Sequence, residues 1–278
     1  PAFWFSRITY HASITGGFTM RVGCAAYSFR QYLTSGEMSL DGFLQKAVEM
    51  GLNGVELTAY YFKSTEDDSL YTLKRQCYLL GLQISATAVG NRFTHADAGE
   101  RAKQIQHVKD WVDISVKLGA PCLRVFAGGT PEGHSEAEAR QWTIDGLKEC
   151  AAYAAPRGIL LALENHGGIT STADQVIDLV TSVDSKWVGV NLDTGNFRDD
   201  PYGSLARVAP YAITAHAKTE MPKAGGGKEE ADFSKIADLL NAQGYKGYLS
   251  IEYEAAEDAM TAVPRFAKVL KSVATRTL

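Results

Sequence analysis

From Arg21 onward the chain repeats one unit: a short apolar run, a loop with Gly or a polar residue, then a segment of helical periodicity that ends in Gly. The apolar runs are Val22 to Phe29, Gly54 to Tyr60, Ile84 to Gly90, Cys122 to Gly129, Leu160 to Gly167, Val188 to Asn196, Ala212 to Thr219 and Tyr248 to Glu254. There are eight, spaced 24 to 38 residues apart, and each interval is long enough for a helical crossover between parallel strands. The helical segments carry their own start and stop signals. Ser39 precedes "LDGFLQKAVEMG", Ser135 and Thr172 open capping boxes with Glu138 and Gln175, and Gly51, Gly81, Gly119, Gly158 and Gly244 stand where a C-terminal cap belongs. Eight such units predict an α/β fold, a closed (β/α)8 TIM barrel, with an open doubly wound sheet as the alternative. The first run is followed by "CAAYSFRQY" rather than a Gly-rich phosphate fingerprint, so the dinucleotide-binding form of that alternative has no local support.

Composition then narrows the class. With 278 residues, 45% of them hydrophobic, a barrel from 21 to 278 can be one domain with a sizeable core. Residues 1–20, aromatic and unpatterned, read as an N-terminal extension, either a cloning remnant or a strap across the barrel. A net charge of −4 and the lack of a basic run give no general pull toward nucleic acid or an anionic membrane. The 4 cysteines are far apart and form no CxxC pair, so buried free thiols are expected rather than a disulfide framework. No apolar stretch approaches the roughly 20 residues that span a bilayer, and the first residues lack a basic start followed by an apolar run. A soluble, cytoplasmic protein is expected.

A barrel places chemistry at the C-terminal ends of its strands, where the loops form an open mouth. The fifth run ends with Glu164, Asn165 and His166, the sixth with Asp193 and Asn196, the seventh with His216 and Lys218, and the eighth with Glu252. Singly, each has an ordinary structural explanation as a cap, an ion pair or a satisfied polar residue. Asp193 could cap a helix, but Asn-Phe-Arg-Asp-Asp-Pro follows its Thr-Gly turn and begins no immediate helix. Three carboxylates converging in a low-dielectric mouth repel one another and call for a compensating cation. Two Glu, one Asp and one neutral imidazole make an oxygen-rich shell that suits Mn²⁺ first, then Mg²⁺, with Co²⁺ or Zn²⁺ also fitting. The competing arrangement pairs Glu164 or Glu252 with Lys218 or Arg198 and binds no metal.

The phrases "LALENHGG", "GVNLDTGNF", "AHAKTE" and "ADFSKIADLLNAQGYKGYLSIEYE", with looser matches at "GVEL" and "LRVFAGG", resemble the xylose isomerase-like barrel superfamily in its sugar phosphate isomerase/epimerase branch. The resemblance runs from residue 21 to about 270. It implies that Glu164 and Glu252 both bind one divalent metal ion per chain and act as the acid/base pair, and that Asp193 and His216 complete the ligand set. Such a shell suits proton transfer through an enediolate: the ion stabilises the developing charge while one Glu removes a proton and the other returns it. Return to the opposite face of the same carbon is epimerisation, return to its neighbour is aldose-ketose isomerisation, and loss of a β-hydroxyl is dehydration. The expected enzyme is therefore a sugar or sugar phosphate isomerase or epimerase; an inosose-type dehydratase or a hydroxypyruvate isomerase is the alternative.

Substrate contacts are expected from His166, Asn196 and Lys218, and from Tyr27, Tyr60 and Asn91, with Phe29 as a further wall candidate. Period-two alternation also points Glu56 and Arg124 inward, which suggests a buried ion pair between them. The stretch "PKAGGGKEEADF" at 222–233 reads as a solvent loop near the mouth that could also close over substrate. The expected partner is a small sugar or hydroxy-ketone, with no nucleic acid and no membrane; homo-oligomers are common in the family. Apurinic endonucleases of the same superfamily need extra His ligands where this chain has Tyr60 and Tyr61, Val89 to Asn91, and Asn196. A non-catalytic sugar-binding barrel would be expected to lack Glu164 or Glu252, and both are present.

Overall fold

In a computed structural model the described residues are 20–223 and 226–274, so the extension read at 1–20 lies outside them apart from Met20. The strands are β1 (Arg21–Ala25), β2 (Gly54–Thr58), β3 (Gln83–Ala88), β4 (Cys122–Val125), β5 (Leu160–Glu164), β6 (Val188–Asp193) and β7 (Ala212–Lys218). A short pair, β8 (Glu220–Pro222) and β9 (Lys228–Glu230), precedes β10 (Tyr248–Glu252). β1 to β7 and β10 are parallel and close into a barrel, with β10 between β7 and β1. The helices are α1 (Arg30–Ser35), α2 (Leu40–Glu49), α3 (Asp67–Leu79), α4 (Ala98–Leu118), α5 (Glu136–Ala154) and α6 (Ala173–Val183). They continue with α7 (Pro201–Val208), α8 (Phe233–Ala242) and α9 (Ala259–Ala274). The closed (β/α)8 barrel is thus the observed fold.

The local signals act as read. Ser135 and Thr172 each accept from the backbone N–H three residues on, while the Glu138 and Gln175 side chains reach back to the cap backbone, forming two complete capping boxes. Gly119 and Gly158 end their helices in the left-handed region, at φ of 78° and 71°, where a β-carbon would be strained. Alternation sorts the two faces of each strand. Val55 and Leu57 of β2 join the helix-side core, whereas Glu56 between them enters the lumen and reaches His216. Two register shifts, between Val55 and Glu56 and between Val190 and Asn191, fall where a polar side chain enters the lumen. The Tyr248 ring lies against Gly23 and Gly54, within 3.3 and 2.9 Å of where their β-carbons would stand, and its Oη donates to Gln83 Oε1 at 2.8 Å.

Three expectations are corrected. Several apolar runs outlast their strands: Ala26–Phe29 and Ala59–Tyr61 wind into 3-10 turns. That turn carries Phe29 away from the mouth and into the core, fully buried against Phe43 at 6.0 Å between ring centroids. The segment read as a loop at 222–233 is framed by the antiparallel pair β8 and β9 and leads directly into α8. All four cysteines are buried free thiols, as expected. Among the described residues no helix is long and apolar enough to cross a membrane.

Candidate active site

Glu164, Asp193, His216 and Glu252 end β5, β6, β7 and β10, or stand one turn of the pleat below the end, and all four are buried. Each offers one ligand atom, and these atoms lie within 4.8 Å of one another. His216 Nδ1 is 3.3 Å from Glu252 Oε2, 3.7 Å from Glu164 Oε2 and 3.8 Å from Asp193 Oδ2. The sequence argument therefore names four side chains that the fold does bring together.

The surroundings of the cluster orient it. Asn191, buried two residues before Asp193, donates from Nδ2 to Glu164 Oε2 at 2.9 Å and lies 3.2 Å from His216 Nδ1. Asp193 Oδ1 accepts from the Gly195 N–H at 2.9 Å, which turns the chain sharply at Thr-Gly; a β-carbon at Gly195 would collide with the Lys218 stem. Asp193 is accordingly not a helix cap: that role belongs to Asp200, which accepts from the Gly203 N–H at the start of α7. The other oxygen, Asp193 Oδ2, is buried with no hydrogen bond and faces the cluster.

Glu56 and Arg124 make no direct ion pair, because each meets a different partner first, although Glu56 still acts on Arg124 electrostatically behind Glu164. Arg124 lies on the strand next to Glu164, with Nε 3.2 Å from Oε2 in an ion pair that lacks hydrogen-bond alignment. Its guanidinium stacks at 3.9 Å on the Phe126 ring, which in turn lies 4.4 Å from the His166 ring. Glu56 instead meets His216 Nε2 at 3.0 and 2.9 Å. Lys218 Nζ is 3.3 Å from Asp193 Oδ2 and bridges Glu252 and Glu254 by short contacts. Of the metal-free pairings, Lys218 with Glu252 is therefore observed, whereas Glu164 takes Arg124 and not Arg198.

These contacts set the electrostatics. Burial pushes Glu164 up to about 7 against the opposing pull of Arg124. Burial also acts upward on Glu252, but His216 and Lys218 hold it well below the usual carboxylate range. Lys218 stays protonated despite burial because Asp193, Glu252 and Glu254 surround it. Burial acts downward on His216, but Glu252, Glu56 and Asp193 hold it well above the usual imidazole range, so without a metal part of the positive charge that offsets these buried carboxylates is a proton on the ring. A divalent ion can take that proton's place among the carboxylates, and Asp193 Oδ2, which makes no hydrogen bond and is ion-paired with Lys218 at 3.3 Å, offers it a ligand atom. The cluster can hold a metal.

Above it opens a cleft of about 870 Å³ whose lining includes His166, Asn196, Arg198, Lys218 and Glu254. Asn196 Nδ2 is buried without a hydrogen-bond partner. Of the expected substrate contacts, His166, Asn196 and Lys218 share this cleft, while Tyr27, Tyr60 and Asn91 do not line it. Tyr27, at the turn after β1, is within electrostatic reach of Glu254 and Glu252, and Tyr60 is 57% exposed over Gly90. Asn91 is committed elsewhere: its amide donates to Phe126 O and accepts from Phe126 N, both at 2.9 Å, and so clamps two loops. Asn191 and Glu254 were missed; period-two spacing from Asp193 and Glu252 marks both positions.

A family model for the xylose isomerase-like TIM barrel matches residues 44–273. The chain belongs to the xylose isomerase-like TIM barrel family. Within the curated proteins it is similar to a 2-oxo-tetronate isomerase of Haemophilus influenzae, 24% identical over 180 residues, which covers 61% of this chain and 69% of that protein. The fold of this family member is similar to that of D-psicose 3-epimerase from Clostridium cellulolyticum H10, with a TM-score of 0.76 at 17% identity, covering 92% of this chain and 100% of that one. A xylose isomerase-like barrel protein from Mycobacterium smegmatis, solved in complex with magnesium, gives a TM-score of 0.74 at 19% identity and covers 92% and 97% of the two chains.

Proposed function

We propose that this chain is a divalent-metal-dependent isomerase or epimerase of small sugars or related hydroxy-ketones. The observation that carries the reading is the convergence of two glutamates, one aspartate and one imidazole beneath a polar cleft. Glu164, Asp193, His216 and Glu252 would hold the ion, with Mn²⁺ the best match to a mainly carboxylate set. When bound, the ion supplies electrostatic stabilisation to the charge that develops on substrate oxygens. The chain's own residues do the rest. Glu164 and Glu252 stand on β5 and β10, on different sides of the site, so that one can take a proton from the substrate carbon and the other can return it. Lys218, tethered to Glu252 and Glu254, presents an ammonium to the same cleft and can neutralise a substrate oxygen. Asn196 Nδ2 offers a donor for a hydroxyl, and His166, stacked on Phe126, offers an imidazole at the rim.

Arg198 at the rim favours a second reading, isomerisation of a short sugar acid whose carboxylate it would meet. The relative bearing the name 2-oxo-tetronate isomerase agrees with that reading. The test is solvent deuterium incorporation by the Mn²⁺-loaded protein into a panel of ketoses, sugar acids, hydroxypyruvate and inososes. Deuterium beside the carbonyl, abolished in Glu164→Gln and Glu252→Gln, is the expected result, and the labelled substrate separates epimerase, isomerase and dehydratase. No exchange into any member of the panel overturns the proposal.

A further inference from the structure

Glu56 is a buried carboxylate for which the proposed reaction has no use. It is 1% exposed, lies on β2 and faces across the lumen to β7, outside the set of four ligand atoms. Both its oxygens are at bonding distance from His216 Nε2, while Nδ1 of the same ring points at Glu252, Glu164 and Asp193. With the Nε2–H group donating to the Glu56 carboxylate, Nδ1 is the nitrogen turned toward the ligand cluster. The ring is fully buried and held from both sides. Arg124, the cation expected to neutralise Glu56, is engaged by Glu164, so the carboxylate is directed at the imidazole.

We propose that Glu56 is the positioning residue of the metal centre: it fixes the tautomer and orientation of His216, keeps Nδ1 turned toward the ligand cluster, and thereby sets the affinity for the divalent ion without touching it. The proposal rests on the reading of the cluster as a metal site. Carboxylates placed behind a ligating histidine typically govern metal affinity by about 10–100-fold. The register shift between Val55 and Glu56 suits the role, since it sets the carboxylate at the height of the imidazole on a strand that supplies no ligand.

The test is Mn²⁺ affinity by isothermal titration of EDTA-stripped protein for the native chain, Glu56→Gln and Glu56→Leu, with ¹⁵N-histidine NMR of the Mg²⁺-loaded forms. The His216 resonances are assigned by difference from His216→Ala. The native chain should show a single Nε2–H tautomer. Glu56→Gln, which keeps an acceptor but loses the charge, should weaken Mn²⁺ binding about 10-fold, and Glu56→Leu about 100-fold with a mixed tautomer signal. If Leu at this position prevents folding, the near-isosteric Gln variant decides alone. Native-like affinity and tautomer in Glu56→Gln, with Mn²⁺ bound by the native chain, overturn the positioning role and leave the metal site standing. Failure of the native chain to bind any divalent ion overturns both.

Discussion

Arg124→Met isolates the buried pair that holds Glu164 in place. The arginine is 3% exposed and the glutamate 1%, so solvent does little to screen either. The guanidinium has Glu164 Oε2 at 3.2 Å, the Val89 carbonyl at 3.3 Å and the Phe126 ring on one face, and Met retains the apolar bulk but none of the charge. Removing one partner of a buried pair costs about 3–5 kcal/mol, because the other charge is left uncompensated. Glu164 keeps the Asn191 hydrogen bond at 2.9 Å and His216 at 3.7 Å, which places the expected loss near the lower end, at about 3 kcal/mol. For a chain of this size that is a fall in Tm of about 6–12 °C. The assay is scanning calorimetry on EDTA-treated protein at about pH 9, above the pKa of about 7 to which burial pushes Glu164, so that the stranded carboxylate cannot escape the cost by taking up a proton, with the double variant Arg124→Met/Glu164→Gln as the control. Removing both charges should recover at least half of the loss, since the cost lies in the stranded carboxylate and not in the missing arginine. A shift below about 2 °C for the single variant, or a double variant no more stable than the single one, refutes the argument.

Three further outcomes follow from the same structure. Burial pushes the thiols of Cys24, Cys77, Cys122 and Cys150 up to about 12, so native protein at mildly alkaline pH should react with none of them under a thiol reagent until it is denatured. The same shift means that above the ordinary thiol range the unfolded chain loses protons that the folded chain keeps, so stability should fall as pH rises from about 9 toward 12; a flat or rising profile there contradicts it. Thr172→Ala removes the acceptor for the Gln175 N–H at 3.2 Å and half of the α6 capping box, and should cost about 1 kcal/mol in thermal melts with no change in metal affinity.

The legible part of the site was the part governed by period. Glu164, Asp193, His216 and Glu252 share one parity and one height at the ends of four consecutive barrel strands, and closure of the barrel then brings them together without further information. Parity also sent Glu56 and Arg124 inward, but it does not say who stands opposite. Arg124 sits on the strand beside Glu164, whereas Glu56 comes from β2 after a register shift and meets β7 across the lumen, so both partners were misassigned. Loop residues were the least legible. Asn91 looks polar and mouth-facing in the sequence, yet its amide is fully used by the Phe126 backbone, and Phe29 follows its 3-10 turn into the core.

The central claim is that Glu164, Asp193, His216 and Glu252 form one divalent-metal site. Calorimetric titration of the EDTA-stripped protein with Mn²⁺, beside Asp193→Ala and Glu164→Gln, tests it most directly. The account predicts saturable binding of one ion per chain in the native protein, lost or greatly weakened in both variants while each remains folded. Absence of saturable binding in the native protein, or binding in the two variants as strong as in the native protein, contradicts it.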